Sequence, residues 1–204
     1  KCKNVSWNLT ATGDIGNVYT FYTSSYLTLN QTMIADSTRI NFTIRGPDID
    51  NDGVDDTIDK LLGNQSSVNI SGISSLNITI DNAAQNSTYE NRHIISLYDG
   101  FEIIANFSYN FTESALDLSK VSISVGADWL IVNFSGQLNE NKTLYLDDNG
   151  FDSLCVKDAD VASITEITST CNGANETDLT SCIGSSGGTT LNGITCTDLG
   201  LRIK

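Results

Sequence analysis

Polar and apolar residues alternate through most of the chain, and this period of two constrains the fold more than any other feature. The segment Val121–Val125 is the clearest example, because its apolar residues are separated by single serines. Residues two apart in a strand point to the same face, so this alternation predicts strands with one buried and one solvated face. The predicted strands are Val18–Tyr22, Tyr26–Leu29, Arg39–Arg45, Val68–Ile73, Leu76–Ile80, His93–Tyr98, Phe101–Phe111, Leu116–Val125, Trp129–Phe134 and Thr143–Leu146.

Ten short strands without a convincing amphipathic helix predict an all-β fold, namely an antiparallel β-sandwich of immunoglobulin-like architecture. Hairpin turns are expected at Asp99-Gly100, Asn149-Gly150 and Asn192-Gly193, because these residue types accept positive φ. We expect residues 1–146 to form the sandwich. Residues 147–204 have a single aromatic residue and four cysteines. They form either a disulfide-stapled appendage or the last strands of the same domain.

The charge balance excludes two classes of partner. The chain has 25 Asp and Glu against 11 Lys and Arg, a net charge of -14. Such a chain repels phosphate backbones and anionic lipid heads, so nucleic-acid binding and membrane-surface binding are not expected. No apolar run approaches the length of a membrane span, and Lys1 does not begin a signal peptide. We therefore expect a mature chain that is not inserted in a membrane.

Asparagine is placed before Ser or Thr far more often than chance allows. With 21 Asn and 45 Ser or Thr in 204 residues, about 4.6 Asn-x-Ser/Thr triplets are expected, whereas the sequence has 13, none with Pro at the centre. Strand alternation alone would favour any pair of polar residues, not this order. The pattern predicts an extracellular chain with covalent N-glycans. The acceptor residues would be Asn4, Asn8, Asn30, Asn41, Asn64, Asn69, Asn77, Asn86, Asn106, Asn110, Asn133, Asn141 and Asn175.

The five cysteines agree with an oxidising compartment. Four of them, Cys155, Cys171, Cys182 and Cys196, cluster near the C-terminus and predict two disulfides, with three connectivities open. A zinc site is the competing interpretation, but no Cys-x-x-Cys pair occurs and the single histidine is distant. The odd cysteine, Cys2, either bonds a neighbouring subunit or stays a free thiol, unless a different pairing frees another cysteine.

Residues 48–59 form an acidic segment with the sequence D-I-D-N-D-G-V-D-D-T-I-D. In a calcium loop, carboxylates at positions 1, 3, 5, 9 and 12 and the carbonyl at position 7 supply oxygen ligands, and glycine at position 6 permits a sharp turn. The alternative is a solvated acidic loop without metal. The predicted ligands are Asp48, Asp50, Asp52, Val54, Asp56 and Asp59, with Gly53 at the turn.

This segment resembles an EF-hand loop and, more closely, the acidic loops of thrombospondin type 3 repeats. It departs from the EF-hand because a predicted strand ending at Gly46-Pro47 precedes it and because Asp59 stands where a bidentate Glu is usual. The resemblance implies a structural Ca²⁺ bound at about 0.1 to 1 mM, as in extracellular modules, and not a sensor. The shorter acidic segment 147–152 is expected to be a hairpin turn, with a second cation as the alternative.

Catalytic signals are weak, so an enzyme is not expected. His93 lies within a predicted strand, and no nucleophile, phosphate or dinucleotide motif occurs. A pair of carboxylates for glycoside hydrolysis can be drawn from any acidic protein. The tryptophans are expected in the core. The candidates set aside for these reasons are Glu102, Glu113, Asp128, Glu140, Trp7 and Trp129.

In its dense sequons, its Ser, Thr and Asn content and its scarcity of Lys, the chain is similar to secreted archaeal surface glycoproteins. This resemblance implies a homopolymeric structural subunit of an extracellular filament, pilus or surface layer. The alternating segment Val5–Thr10 is either a strand donated to an open sheet edge of the next subunit or the first strand of its own sandwich. The alternative function is a calcium-dependent adhesin or carbohydrate-binding module.

Overall fold

A computed structural model describes residues 8, 10–27, 30–48, 50–85, 89–138 and 140–204, with the backbone alone for residues 26–27 and 30–35. The chain divides into two compact units. One comprises residues 1–48 with 55–57, and the other comprises residues 49–54 with 58–204. The sequence-based boundary at residue 146 does not coincide with this division.

The first unit consists of two short antiparallel sheets. Its strands are β1 (Val18–Phe21), β2 (Ser24–Leu27), β3 (Asn30–Asp36) and β4 (Ile40–Thr43). β1 pairs with β4, and β2 pairs with β3. Tyr19 and Phe42 face each other across the first pair with ring centroids 6.0 Å apart. None of the side chains described between residues 8 and 48 is buried.

Among the described residues, the second unit holds the remaining strands and four short 3₁₀ helices. The strands are β5 (Leu61–Leu62), β6 (Asn69–Ser71), β7 (Leu76–Ile80), β8 (Ala83–Ala84), β9 (Arg92–Asp99), β10 (Glu102–Asn110), β11 (Leu116–Asp117), β12 (Ser122–Val125), β13 (Leu130–Asn133), β14 (Lys142–Leu144), β15 (Leu146–Asp147), β16 (Cys155–Lys157), β17 (Glu176–Asp178), β18 (Thr189–Leu191), β19 (Ile194–Cys196) and β20 (Arg202–Ile203). The 3₁₀ helices are Gln65–Ser67, Leu118–Lys120, Ile164–Glu166 and Thr180–Cys182. In the part of the chain that the structure describes, no helix is long and apolar enough to cross a membrane.

Two sheets of this unit share one core. The larger sheet has the order β14-β10-β9-β7-β8 and is antiparallel, and the smaller has the order β13-β12-β6. Phe107 of the larger sheet meets Phe134, which follows the smaller one, edge to face at 4.6 Å between centroids. The expected all-β sandwich is therefore confirmed. The core side chains include Ile78, Ile95, Leu97, Phe107, Tyr109, Phe111, Leu116, Leu118, Ile123, Val132 and Phe134.

The pairing departs from the sequence-based expectation at two places, where short strands run parallel. β12 pairs with β6 in parallel, and β11 pairs with β5 in parallel. The predicted strand 116–125 is also interrupted by the 3₁₀ helix at 118–120. The cause is Asp117, whose Oδ1 accepts hydrogen bonds from the backbone N–H and the hydroxyl of Ser119 at 3.0 and 2.6 Å. Alternation cannot reveal this break, because Leu118 stays buried through it.

The predicted hairpin turns divide into two that are confirmed and one that is wrong. Gly100 links β9 to β10, and Asn192-Gly193 links β18 to β19 with φ of 50° and 82°. The Asn149-Gly150 turn does not join paired strands, because β15 before it pairs with β20 and not with β16. It is a local turn in which Asp148 Oδ1 accepts a hydrogen bond from the N–H of Gly150 at 2.9 Å.

The C-terminal segment has a small core of its own. Leu179, the two half-cystines Cys182 and Cys196, and Ile203 are all buried there. Because β15 pairs with β20, the last residues of the chain are joined to the end of the predicted sandwich segment. Disulfide sulfur thus supplies apolar volume where aromatic residues are scarce.

His93 in β9 is held between two acceptors. Its Nδ1 lies 2.6 Å from Asp81 Oδ2, and its Nε2 lies 2.7 Å from the carbonyl oxygen of Glu90. Only the doubly protonated ring can donate to both. The hydrogen bond to Asp81 accordingly raises the pKa of His93 above its usual value near 6.5. The histidine joins the turn after β7 to the start of β9, which is a structural role.

The raised pKa of His93 gives a pH-dependent stability. This contribution is fully present below pH 6.5 and is lost as the pH rises through the folded-state pKa. We expect His93→Gln to lower the melting temperature more at pH 5 than at pH 8. Asp81→Asn keeps an oxygen for the N–H of Ile94 but removes the negative charge beside His93. This variant should therefore lose the same pH-dependent contribution to the melting temperature. Equal losses at both pH values would contradict this account.

Candidate metal centre

The acidic segment lies between β4 and β5 and turns sharply at its centre. Asn51 and Gly53 both adopt positive φ, 59° and 98°. The N–H of Val54 donates to Asp52 Oδ1 at 2.8 Å, which fixes the side chain of Asp52 against the turn. Asn and Gly are the residues that tolerate this backbone conformation, so the sequence D-N-D-G folds back on itself here.

Three predicted ligands are brought together by this turn. Asp48, Asp50 and Asp52 each offer a carboxylate oxygen, and these oxygens lie within 4.8 Å of one another. Calcium binds oxygen at 2.3–2.6 Å, so two oxygens on one ion are at most about 5.2 Å apart. The spacing of the three carboxylates therefore suits one shared calcium ion.

Asp59, the predicted closing ligand, is buried although it is an acid. Its exposed fraction is 3%. One carboxylate oxygen, Oδ1, accepts the N–H of Leu61 at 2.9 Å, while the buried Oδ2 accepts no hydrogen bond from any described residue. Burial raises the pKa of Asp59, and the negative charges of Asp52 and Asp50 raise it further. A cation beside Oδ2 would offset all three effects at once.

The other acids of the segment have different surroundings. Asp55 is a turn residue, because its Oδ1 accepts hydrogen bonds from the N–H and the hydroxyl of Thr57 at 2.9 and 2.6 Å. The N–H of Asp56 donates to the carbonyl of Pro47 at 2.8 Å, which closes the loop at its base. The ligand roles of the Val54 carbonyl and of Asp56 stay predictions.

Sequence reasoning missed the role of Gly46. A Cβ atom at this position would overlap the carboxylate of Asp55. A side chain at position 46 would therefore displace the Asp55 carboxylate, which is held by its hydrogen bonds to Thr57. The sequence pattern at Gly46-Pro47 indicates only the end of a strand, and the contact between residues 46 and 55 is visible only in three dimensions.

The described sequon asparagines all lie outside the core. Six are exposed, namely Asn8, Asn41, Asn69, Asn77, Asn141 and Asn175, and four are half-buried, namely Asn64, Asn106, Asn110 and Asn133. Asn4 and Asn86 lie outside the described residues, and the side chain of Asn30 is not described. Several sequons sit on strands with a buried central residue, such as Phe107 and Ile78. Strand alternation thus turns their asparagines outward.

The two predicted disulfides are present, and their connectivity is sequential. Cys155 pairs with Cys171 and Cys182 with Cys196, at Cα separations of 5.6 and 5.9 Å. Glu176 lies beside the first pair, but the sulfurs are bonded to each other. Hydrogen bonds from Thr168 and Gly173 lower the pKa of Glu176 to about 2. Two disulfides indicate an oxidising environment. Cys2 lies outside the described residues.

Several of the carboxylates considered for glycoside hydrolysis or for a second cation have separate local partners. Glu102 pairs with Arg202, Glu140 pairs with Arg92, and Glu113 accepts a hydrogen bond from Asn110. The side chains of Asp147 and Asp148 are engaged by Arg202 and by the N–H of Gly150 respectively. Trp129 is half-buried, and Trp7 lies outside the described residues.

No family model, curated protein or solved structure matches the chain.

Replacing Asp59 tests whether this residue is a metal ligand. At a calcium concentration of about 100 times Kd, binding stabilises a folded protein by about 2.7 kcal/mol, or about 5 to 10 °C in Tm for a chain of this size. We expect Asp59→Asn to lose most of the rise in Tm that calcium causes, because Oδ2 is lost as a ligand. Differential scanning calorimetry with and without EDTA measures this rise.

Asp55→Asn is the matched control for that experiment, since it removes the same charge from the same loop but keeps an oxygen for Thr57. It should retain the calcium-dependent rise. If both variants respond to calcium as the wild type does, Asp59 is not a ligand.

Proposed function

We propose that this protein is a calcium-stabilised, N-glycosylated structural subunit of an extracellular filament, pilus or surface layer. The observation that carries the proposal is the placement of the sequons. None of the ten sequon asparagines with described side chains is buried, although 13 such triplets stand in 204 residues. A surface with so many acceptor sites is suited to a persistent sugar coat, and the role is structural and not catalytic.

The acidic loop supports an extracellular setting. Three carboxylates lie within 4.8 Å of one another, and Asp59 in the same loop is buried with an oxygen that accepts no hydrogen bond from any described residue, so a bound cation would stabilise both. A site of about 0.1 to 1 mM affinity is suited to calcium levels outside cells. The two disulfides agree with this setting, because such bonds persist in oxidising compartments.

Assembly into a homopolymer is supported by the first unit. Its sheets have two strands each, and a two-stranded sheet is marginally stable in water by itself. In the described part of the chain, the outer edges of β1 and β4 pair with no further strand. An alternating strand from another subunit, such as Val5–Thr10, would complete a sheet of this kind through main-chain hydrogen bonds. Residues 5–7 and 9 lie outside the described residues, so this part of the proposal rests on their alternation.

The proposal is tested by negative-stain electron microscopy of the protein purified in its glycosylated form. We expect regular fibres or sheets in calcium that disassemble or soften in EDTA. A chain lacking residues 1–10 should remain folded, as judged by circular dichroism, but should stay monomeric.

One other result would count against the proposal, and a second would count against strand donation alone. A monomer that binds glycans only in calcium would favour an adhesin. Polymers formed by the truncated chain would exclude strand donation while leaving the structural role intact.

A further inference from the structure

Two sequons occupy equivalent positions on one face of the smaller sheet. Asn69 in β6 and Asn133 in β13 both pair with Ser122 of the central strand β12, from its two sides. Partner residues in neighbouring strands point to the same face. The sequence gives no reason to distinguish Asn69-Ile70-Ser71 from Asn133-Phe134-Ser135 as glycan acceptors.

The carboxamide of Asn133 is engaged at both ends. Its Nδ2 donates to the carbonyl oxygen of Val161 at 3.1 Å, and its Oδ1 accepts the N–H of Ser135 at 2.7 Å. Val161 is buried, with 7% of its surface exposed. A neighbouring bond, from the N–H of Gly136 to Asp160 Oδ2 at 2.6 Å, holds the same segment. Residues 160–161 are thereby fastened to the turn after β13.

The other two residues of this sequon also have partners within the fold. Phe134 is 1% exposed and packs edge to face on Phe107. The hydroxyl of Ser135 donates to the carbonyl oxygen of Lys120 at 2.9 Å. Asn133 is half-buried and Ser135 is exposed, but the side-chain polar groups of both are engaged in hydrogen bonds within the folded protein.

Asn69, by contrast, lies in a sequon that is exposed to solvent. Asn69, Ile70 and Ser71 are all exposed, and the apolar residue at the centre, Ile70, has 41% of its surface exposed. β6 and β13 are both edge strands of their sheet, so the two asparagines differ in their surroundings and in the bond from Asn133 to the carbonyl oxygen of Val161.

We propose that Asn69 is the glycan acceptor on this face and that Asn133 is a structural asparagine that carries no glycan. A sugar on Nδ2 replaces one of its two hydrogens and needs the space next to Val161. The bulk of a glycan on Asn133 would therefore disturb the docking of residues 160–161. The acceptor half of this proposal rests on the proposed function, and the structural half does not.

Site-specific glycopeptide mass spectrometry on the glycosylated protein tests the acceptor half. We expect high occupancy at Asn69 and none at Asn133. Asn69→Asp should lower the intact mass by one glycan, and Asn133→Asp should leave the glycan mass unchanged. A glycan on Asn133 of the folded protein would overturn the proposal.

The same pair of variants tests the structural half without any glycan. Asp at 133 keeps the acceptor for Ser135 but places an oxygen against the carbonyl of Val161. We expect Asn133→Asp to lower Tm by about 2 to 10 °C. It should also speed hydrogen exchange in residues 158–163, whereas Asn69→Asp changes neither. Equal effects of the two variants would overturn the structural half.

The two experiments test the two halves of the proposal independently. If all sequons, including Asn69, prove bare, the glycoprotein part of the proposed function fails. The stability measurements then still decide whether Asn133 fastens the segment.

Discussion

The buried carboxylate of Asp59 is the constraint on which the acidic loop depends. It stands two residues before Leu61, which is buried and enters the core through a parallel pairing with Leu116. Its Oδ1 accepts the N–H of Leu61, so the carboxylate cannot turn away to solvent without losing that bond. The loop therefore ends at a fixed, buried carboxylate, and a cation shared with Asp50 and Asp52 would offset the cost of burying its charged form.

In the rest of the second unit, the supply of apolar side chains determines how each core is filled. Aromatic side chains such as Phe107 and Phe134 fill the space between the two sheets, whereas the C-terminal segment has few apolar residues and buries the Cys182–Cys196 disulfide instead. Outside these cores, short polar side chains form caps and turns. Asp99, for example, accepts hydrogen bonds from the N–H groups of Ser74 and Ser75. The polar surface thus contributes to the fold through many local bonds.

The alternation in the sequence was enough to predict the longest strands and the all-β class. Leu76–Ile80 has the predicted bounds, and β9 and β10 differ from them by a residue or two. The sequence motif also indicated which acids meet, since Asp48, Asp50 and Asp52 are local neighbours. What it could not show depends on contacts distant in sequence. Three such contacts are the parallel pairing of β6 with β12, the close approach of Asp55 to Gly46 and the hydrogen bond from Asn133 to Val161. Each joins segments that the sequence pattern does not connect.

The central claim is that Asp59 completes a calcium site with the aspartates before it. A crystal structure of the protein grown with calcium, with anomalous diffraction recorded to locate the ion, tests this most directly. The account predicts one anomalous peak in the loop, with Asp59 Oδ2 and oxygens of Asp48, Asp50 and Asp52 about 2.3 to 2.6 Å from it. A loop without an anomalous peak at saturating calcium, or an ion that Asp59 does not touch, would contradict it.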